Sequence, residues 1–226
     1  MSAGLGFPRL HLRLTDSTNE RARQLAGAGA PHGTLVTATE QSAGRGRQGR
    51  RWSAPPGRAL LCSVVIRDPP RLLPLAAGVA VASLAGGQAS LKWPNDVLVD
   101  GLKVAGILVE GRPQEGWAVV GIGVNVAVNE ADFPEELRGR AGTLALPPES
   151  IEPSLSALMG LLAVWIGAEP EAVLEAVRAR DALLGVQVRW AGGSGRGAGI
   201  DAEGRLPVAT DDGQIALDAG EVHLGA

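Results

Sequence analysis

The sequence predicts an α+β protein, a mixed β-sheet with helices packed on one face, followed by a small all-β appendage. Three observations carry this. Strand-like apolar runs and helical stretches alternate irregularly as far as Val126, and two helices then follow back to back. From Val186 onward the chain is β-rich with closely spaced glycine turns. At 226 residues the chain suits one substantial domain with a small addition, and a boundary near Leu184 divides residues 1–184 from residues 185–226.

Taken in order, Thr15-Asp16-Ser17-Thr18-Asn19 offers several N-cap side chains ahead of a helix over 20–28. Pro31-His32-Gly33 is a turn, and 34–40 reads as a strand. A Gly/Arg-rich loop and Ser53-Ala54-Pro55-Pro56-Gly57 lead into an apolar strand over 59–66. Pro74 opens a helix that stops at Gly86-Gly87. Leu91-Lys92-Trp93 is a short strand broken by Pro94-Asn95-Asp96. The runs 97–99 and 103–110 flank Asp100-Gly101, a strong hairpin signal, and 117–126 is a buried strand. Helices are expected over 153–167 and 169–184, the second with Pro170 in its first turn. Turns at Gly192-Gly193-Ser194-Gly195, Glu203-Gly204 and Asp212-Gly213 give the tail the spacing of a small barrel.

Composition narrows the class. A net charge of −3 argues against a dedicated nucleic-acid coat or a polybasic membrane surface. No basic, apolar-cored leader opens the chain, and the apolar stretches 72–84 and 155–168 are too short and Gly/Pro-marked to span a bilayer, so a cytoplasmic protein without membrane contact is expected. The single cysteine, Cys62, lies in an apolar run and reads as an inert buried thiol. With it and three scattered His, no protein metal site is assigned. Of the 21 basic residues only Lys92 and Lys103 are lysine, which suggests positions where a compact ammonium is preferred.

Gly44-Arg45-Gly46-Arg47-Gln48-Gly49-Arg50-Arg51-Trp52 concentrates arginine and glycine next to an aromatic residue. Glycine lets backbone N–H groups approach an anion closely, arginine grips it with two donors, and Trp offers a flat face. The glycine spacing imitates the dinucleotide-binding fingerprint, but that device needs a helix opening at the third glycine. Here Pro55-Pro56 and a strand follow instead, and no Gly-Lys-Ser/Thr completes a P-loop.

Five segments in order resemble the successive signatures of biotin protein ligases: Asp16-Ser17-Thr18-Asn19, the stretch from Glu40-Gln41-Ser42-Ala43 into Gly44-Arg45-Gly46-Arg47, Lys92-Trp93-Pro94-Asn95-Asp96, the 103–110 strand, and Gly121-Ile122-Gly123-Val124-Asn125-Val126. The tail, with Leu184-Gly185 and Ala219-Gly220-Glu221-Val222, more weakly resembles the small SH3-like C-terminal domain of that family. The resemblance implies the class II synthetase-like fold in 1–184, biotin and ATP as substrates with Mg²⁺, and a biotinyl-5′-AMP intermediate. It implies transfer to one lysine of a biotin carboxyl carrier protein, by a monofunctional member. Lipoate-protein ligases are the nearest alternative, and a biotin-responsive DNA-binding repressor is the alternative from another class. Only about 15 residues precede Asp16, which is too few for a DNA-binding domain. The oligomeric state is left open, a homodimer included.

By the same resemblance, Ser17, Thr18, Asn19 and Gln41 bond the polar head of biotin, with one side chain also capping the helix. Gly44, Arg45, Gly46 and Arg47 wrap carboxylate and phosphates. Lys103, beside Gly106, stabilises the charge that builds as these anions react, so Lys103, Arg45 and Arg47 form the implied catalytic set. Arg47, Arg50, Trp52, Lys92, Asn95, Asp96 and Asn125 are implied around the nucleotide, Trp52 as an adenine wall and Lys92 toward the triphosphate or Asp96. The loop is expected to be a lid, disordered without ligand.

Overall fold

Two β-sheets organise the chain in the computed structural model, which describes residues 4–218, 220 and 222–224. The larger contains β1 (Arg9–Thr15), β2 (Leu35–Gln41), β3 (Ala59–Arg67), β4 (Ser90–Lys92), β5 (Asp96–Val99), β6 (Leu102–Arg112) and β7 (Trp117–Asn125). Its spatial order is β1-β2-β3-β7-β6-β5-β4, with β1 and β2 parallel and every other pair antiparallel, so the sheet is mixed as predicted. Asp100 and Gly101 both take positive φ, 51° and 76°, which closes the predicted β5–β6 hairpin.

Strand alternation sorts the core onto two faces. Leu60, Cys62, Val64 and Ile66 point to one face with Val120 and Ile122, where α2 (Leu73–Ala85) and α3 (Ile151–Ile166) pack. The α4 helix (Pro170–Arg178) lies against α2 in the same core. On the other face Val65, Val36 and Val119 meet Ala22 and Ala26 of α1 (Thr18–Gly27). Three helices thus share one face, and α1 alone occupies the other. The alanines explain the fit, because a helix with little side chain on its inner face sits close to the sheet. The end of α1 and the turn after it are gripped by Arg67, whose Nη2 donates to Ala26 O and Ala30 O at 2.8 and 2.6 Å.

Three local expectations are corrected. β1 is a strand that the sequence reading did not place, because it is an edge strand with six of its seven residues accessible and no hairpin turn marking it. No side chain of 15–19 caps α1; instead Gln41 Oε1 accepts from Thr18 N at 2.7 Å and Asp16 Oδ1 from Ser17 N at 2.8 Å. Finally, α4 stops at Arg178 rather than 184, since the chain turns to cover the edge of β4: Leu91 N donates to Arg180 O at 2.7 Å and Ala182 N to Leu91 O at 3.0 Å.

The segment Pro148–Ile166, a 3-10 turn continued by α3, is long and apolar enough to cross a membrane by length and composition. Its Leu155, Leu158, Met159 and Leu162 are nevertheless buried in the core, so one face of the helix packs on the sheet while the rest stays accessible. The smaller sheet has the order β11-β10-β9-β8-β12, formed from β8 (Gln187–Trp190), β9 (Gly193–Gly197), β10 (Leu206–Thr210), β11 (Gly213–Leu217) and β12 (His223–Leu224). Val188, Leu206 and Val208 continue the core built by α2 and α4. Ala219 and Glu221 of the tail signature lie outside the described residues. Cys62 is fully buried, and burial pushes its thiol up to about 12.

Asp181 marks a stability cost at the seam beside β4. Its Oδ1 accepts from Leu183 N at 2.8 Å, but Oδ2 is buried without a partner, and burial raises the carboxyl above its ordinary value. A carboxyl that holds its proton more tightly when folded favours folding at acid pH, and this contribution disappears as pH rises through the raised value. Asp181→Asn keeps the Oδ1 acceptor and removes the ionisation. The expected result is a Tm advantage of the variant at pH 8 that shrinks as pH falls toward the ordinary aspartate value of 3.8; a constant difference down to that value would show that ionisation is not the cost.

Candidate active site

The face of the large sheet that α1 leaves uncovered carries glycines where side chains would stand. Gly106 pairs with Gly123, and Leu108 with Gly121, so Gly106, Gly121 and Gly123 share one face of β6 and β7. A Cβ on Gly121 would collide with the amide oxygen of Asn19, and one on Gly123 would meet the indole of Trp52 at 2.5 Å. A Cβ on Gly106 would stand 3.1 Å from the same indole and 3.4 Å from Lys103 Nζ. Glycine here makes a floor on which Asn19 and Trp52 lie directly on backbone, while the intervening Ile122 and Val124 turn into the core.

Beside this floor Ser17, Thr18 and Asn19 are buried at the start of α1. Thr18 Oγ1 lies 3.1 Å from Gln41 Oε1 and 2.8 Å from Ser63 Oγ, and Ser63 Oγ lies 2.7 Å from Asn19 Oδ1. An amide oxygen only accepts, so the Ser63 hydrogen goes to Asn19. Asn19 Nδ2 then donates to Glu110 Oε2 at 2.8 Å. The result is a neutral, preoriented polar pocket ending on one carboxylate.

The 44–52 loop crosses the mouth. It follows a defined turn: Trp52 N donates to Gly44 O at 3.0 Å, Gly46 N to Arg50 O at 2.8 Å, and the Arg45 and Arg51 backbones form a β-bridge. Gln48 and Gly49 take positive φ at its tip. Side chains tie it down: Arg45 Nη1 reaches Glu20 Oε2 at 3.2 Å, Arg47 Nη1 reaches Asn95 Oδ1 at 3.3 Å, and Arg51 Nη2 donates to Ser42 O at 2.7 Å. A Cβ on Gly44 would strike the Trp52 carbonyl, so the turn requires glycine there.

The cleft beneath measures about 1150 Å³ and is lined by Ser17, by Gly44 to Arg51, by Asn95 and by Glu110, with Arg71 and Glu203 at its far end. Asn95 is fixed to β6 by Nδ2 donating to Ile107 O at 3.0 Å. Behind it, Lys103 Nζ stands 2.6 Å from Asp96 Oδ1 and 5.8 Å from the Trp52 ring centre, while Lys92 Nζ is 3.9 Å from Asp96 Oδ2. Asp96 therefore gathers both lysines of the chain. Trp52 Nε1 is buried with no partner among the described residues. Asn125 stands apart from this group: it is buried, and its Nδ2 donates to Gly142 O at 2.8 Å, holding the 140s loop.

Four residues of the arrangement had no role in the sequence reading. Ser63 is the fully buried hydroxyl of an otherwise apolar strand, and that polarity was a usable signal. Glu20, Arg23 and Glu110 form the charged rim with Arg45, and only the fold brings them together.

A mixed sheet with a polar pocket and an arginine loop over a glycine floor defines a ligase-type fold, and residues 11–127 match the model of the biotin/lipoate A/B protein ligase family. The chain belongs to that family. It is 34% identical over 252 residues to a biotin–[acetyl-CoA-carboxylase] ligase of Mycobacterium tuberculosis, covering 99% of this chain and 92% of that one. A ligase of the same name from Paracoccus denitrificans is also 34% identical, with 95% and 99% covered. The bifunctional ligase/repressor BirA of Bacillus subtilis is 32% identical over 98% of this chain and 75% of its own length. Among solved structures, a biotin protein ligase from Aquifex aeolicus in complex with biotin and ATP superposes with a TM-score of 0.78 at 29% identity, covering 96% and 98%.

Proposed function

We propose that this protein is a biotin protein ligase that couples biotin to ATP and passes the biotinyl group to a lysine of a carboxyl carrier domain. The observation that carries the reading is a cleft lined by Ser17, Arg45, Arg47, Asn95 and Glu110, whose Glu110 also holds the buried Asn19 amide, so that loop guanidiniums and a buried polar network adjoin. A carboxylate attacking an α-phosphate brings two anions together, so the protein has mainly to align them and offset their charge. Attack by the biotin carboxylate forms the acyl–phosphate bond and expels pyrophosphate; the acceptor lysine amine then displaces AMP.

In this reading Ser17, Thr18, Asn19 and Gln41 receive the ureido head of biotin, with Gly44, Gly46 and Gly106 giving close approach. Arg45, Arg47 and Lys103 face the carboxylate and phosphates. Lys103 is suited to its task because its contact with Asp96 holds the ammonium in place beside the Trp52 face. Arg50, Trp52, Lys92, Asn95 and Asp96 line the nucleotide side, and the unpartnered Trp52 Nε1 is a donor for it. Asn125 contributes from below by shaping the 140s loop. Mg²⁺ enters with the ATP phosphates, held chiefly by them and by water.

Biotin-dependent exchange of pyrophosphate into ATP, followed by labelling of a carrier protein, tests the reading. Exchange supported by lipoate and not by biotin would overturn it, and operator binding at physiological salt would restore the repressor alternative. A second result follows from the lid. Arg47→Gly removes its bond to Asn95 Oδ1 and should release the adenylate faster, by about tenfold for one charged hydrogen bond. Labelling of bystander lysines in a mixture of unrelated proteins measures that release; labelling confined to the carrier would show that the loop does not retain the intermediate.

A further inference from the structure

At the cleft mouth two carboxylates and two guanidiniums alternate. Glu20 Oε2 accepts from Arg23 at 3.0 Å and from Arg45 at 3.2 Å, and Glu110 Oε1 lies 3.8 Å from both arginines. Arg45 belongs to the loop, whereas Glu20 and Arg23 ride on α1 and Glu110 on β6. The two oxygens of Glu110 divide their work: Oε1 faces the arginines, and Oε2 holds the Asn19 amide that Ser63 fixes from the other side. One side chain therefore touches both the polar pocket and the loop across its mouth.

We propose that Glu110, assisted by Glu20, is a positioning residue that clamps Arg45 and so holds the loop over the biotin-head pocket, coupling the state of the pocket to the state of the lid. This rests on the reading of the cleft as the biotinyl-adenylate site. The clamp adds to the backbone bonds and to the Arg47 and Arg51 contacts that give the loop a defined path despite its glycines. Arg45, Glu20, Glu110 and Arg23 keep between about a quarter and a half of their side chains accessible, so any one pair is weak in water. Two rigid elements presenting three of the four charges lower the ordering cost, and the network is stronger than its pairs. Turning Glu110 to release Arg45 also disturbs the bond to Asn19, which is the physical link between lid and pocket.

Glu110→Gln isolates the charge, because the amide oxygen still accepts from Asn19 while the attraction to Arg45 is lost. In the ligand-free full-length protein, tryptic cleavage within the 45–51 loop is expected to speed up by about three- to tenfold, with Glu20→Gln acting in the same direction. In the enzymatic arm, Glu110→Gln is expected to raise KM for biotin more than it lowers kcat and to hasten adenylate release by a similar factor. In an Arg45→Met background the same substitution should change neither cleavage nor release. An equal effect in both backgrounds, or wild-type cleavage rates in both glutamine variants, would overturn the clamp. A wild-type protein that forms no adenylate from biotin and ATP would instead refute the reading of the cleft, while the cleavage arm would still judge the clamp.

Discussion

Lys103→Ala slows biotinyl-adenylate formation by about 10²–10³-fold, the usual cost of removing one fixed donor from the place where charge develops. Pyrophosphate exchange measures it. The side chain is held 2.6 Å from Asp96 and 5.8 Å from the Trp52 ring centre, with the glycine at 106 leaving room along its flank. Such an ammonium is positioned before the substrates arrive, so it costs no reorganisation when the carboxylate and the α-phosphate meet. Lys103→Arg preserves charge but replaces a compact ammonium with a planar fork, and is expected to recover only part of the rate. One-third of the Lys103 side chain is accessible, so the Tm of the alanine variant should change little and a loss of exchange would not be a loss of fold. Near-normal exchange by Lys103→Ala would remove this residue from the catalytic set.

The parts of this protein that local chemistry dictates were legible in the chain. The Asp100-Gly101 hairpin, the apolar strand at Cys62 and the helix opened near Pro74 depend on turn residues and periodicity, which sequence displays directly. The site was legible to the extent that its residues sit in contiguous segments, from Ser17 to Asn19 and from Gly44 to Trp52. What stayed hidden depends on tertiary neighbours. Thr15 to Asn19 look like helix caps, yet Gln41 on the neighbouring strand accepts the first helical N–H. The thin apolar side of α1, Ala22 and Ala26, gave no sign of the face it would take, so its isolation from the other helices emerged only from packing.

The same limit governs the charged rim. Glu20 and Glu110 are 90 positions apart, and each alone reads as a solvated carboxylate. Their meeting at Arg45 is a consequence of α1 lying across β2, β3 and β7, which brings Glu20 beside the Glu110 end of β6. Ser63 is different: a hydroxyl in a wholly buried strand must find a partner, and asking where its hydrogen goes leads to Asn19.

Gly121→Ala should cost about 1–3 kcal/mol of stability, seen as a fall in Tm of roughly 2–12 °C, and should raise KM for biotin at least as strongly as it affects folding. The new methyl group is directed at the Asn19 amide oxygen, with Asn19 Cγ only 2.7 Å away. Asn19 has little room to retreat, because Ser63 holds one end of its amide and Glu110 the other. The methyl therefore strains β7 or rotates the amide out of the polar pocket. Combining the change with Asn19→Ala separates these outcomes. Removing the amide relieves the collision, so Tm should recover in the double variant, whereas KM for biotin should remain raised because the pocket has lost a bonding group. Thermal melts and biotin titrations of the two single variants and the double variant provide the cycle. A Gly121→Ala protein with wild-type KM for biotin would show that the floor tolerates a side chain, and that its glycines serve the strand rather than the pocket above it.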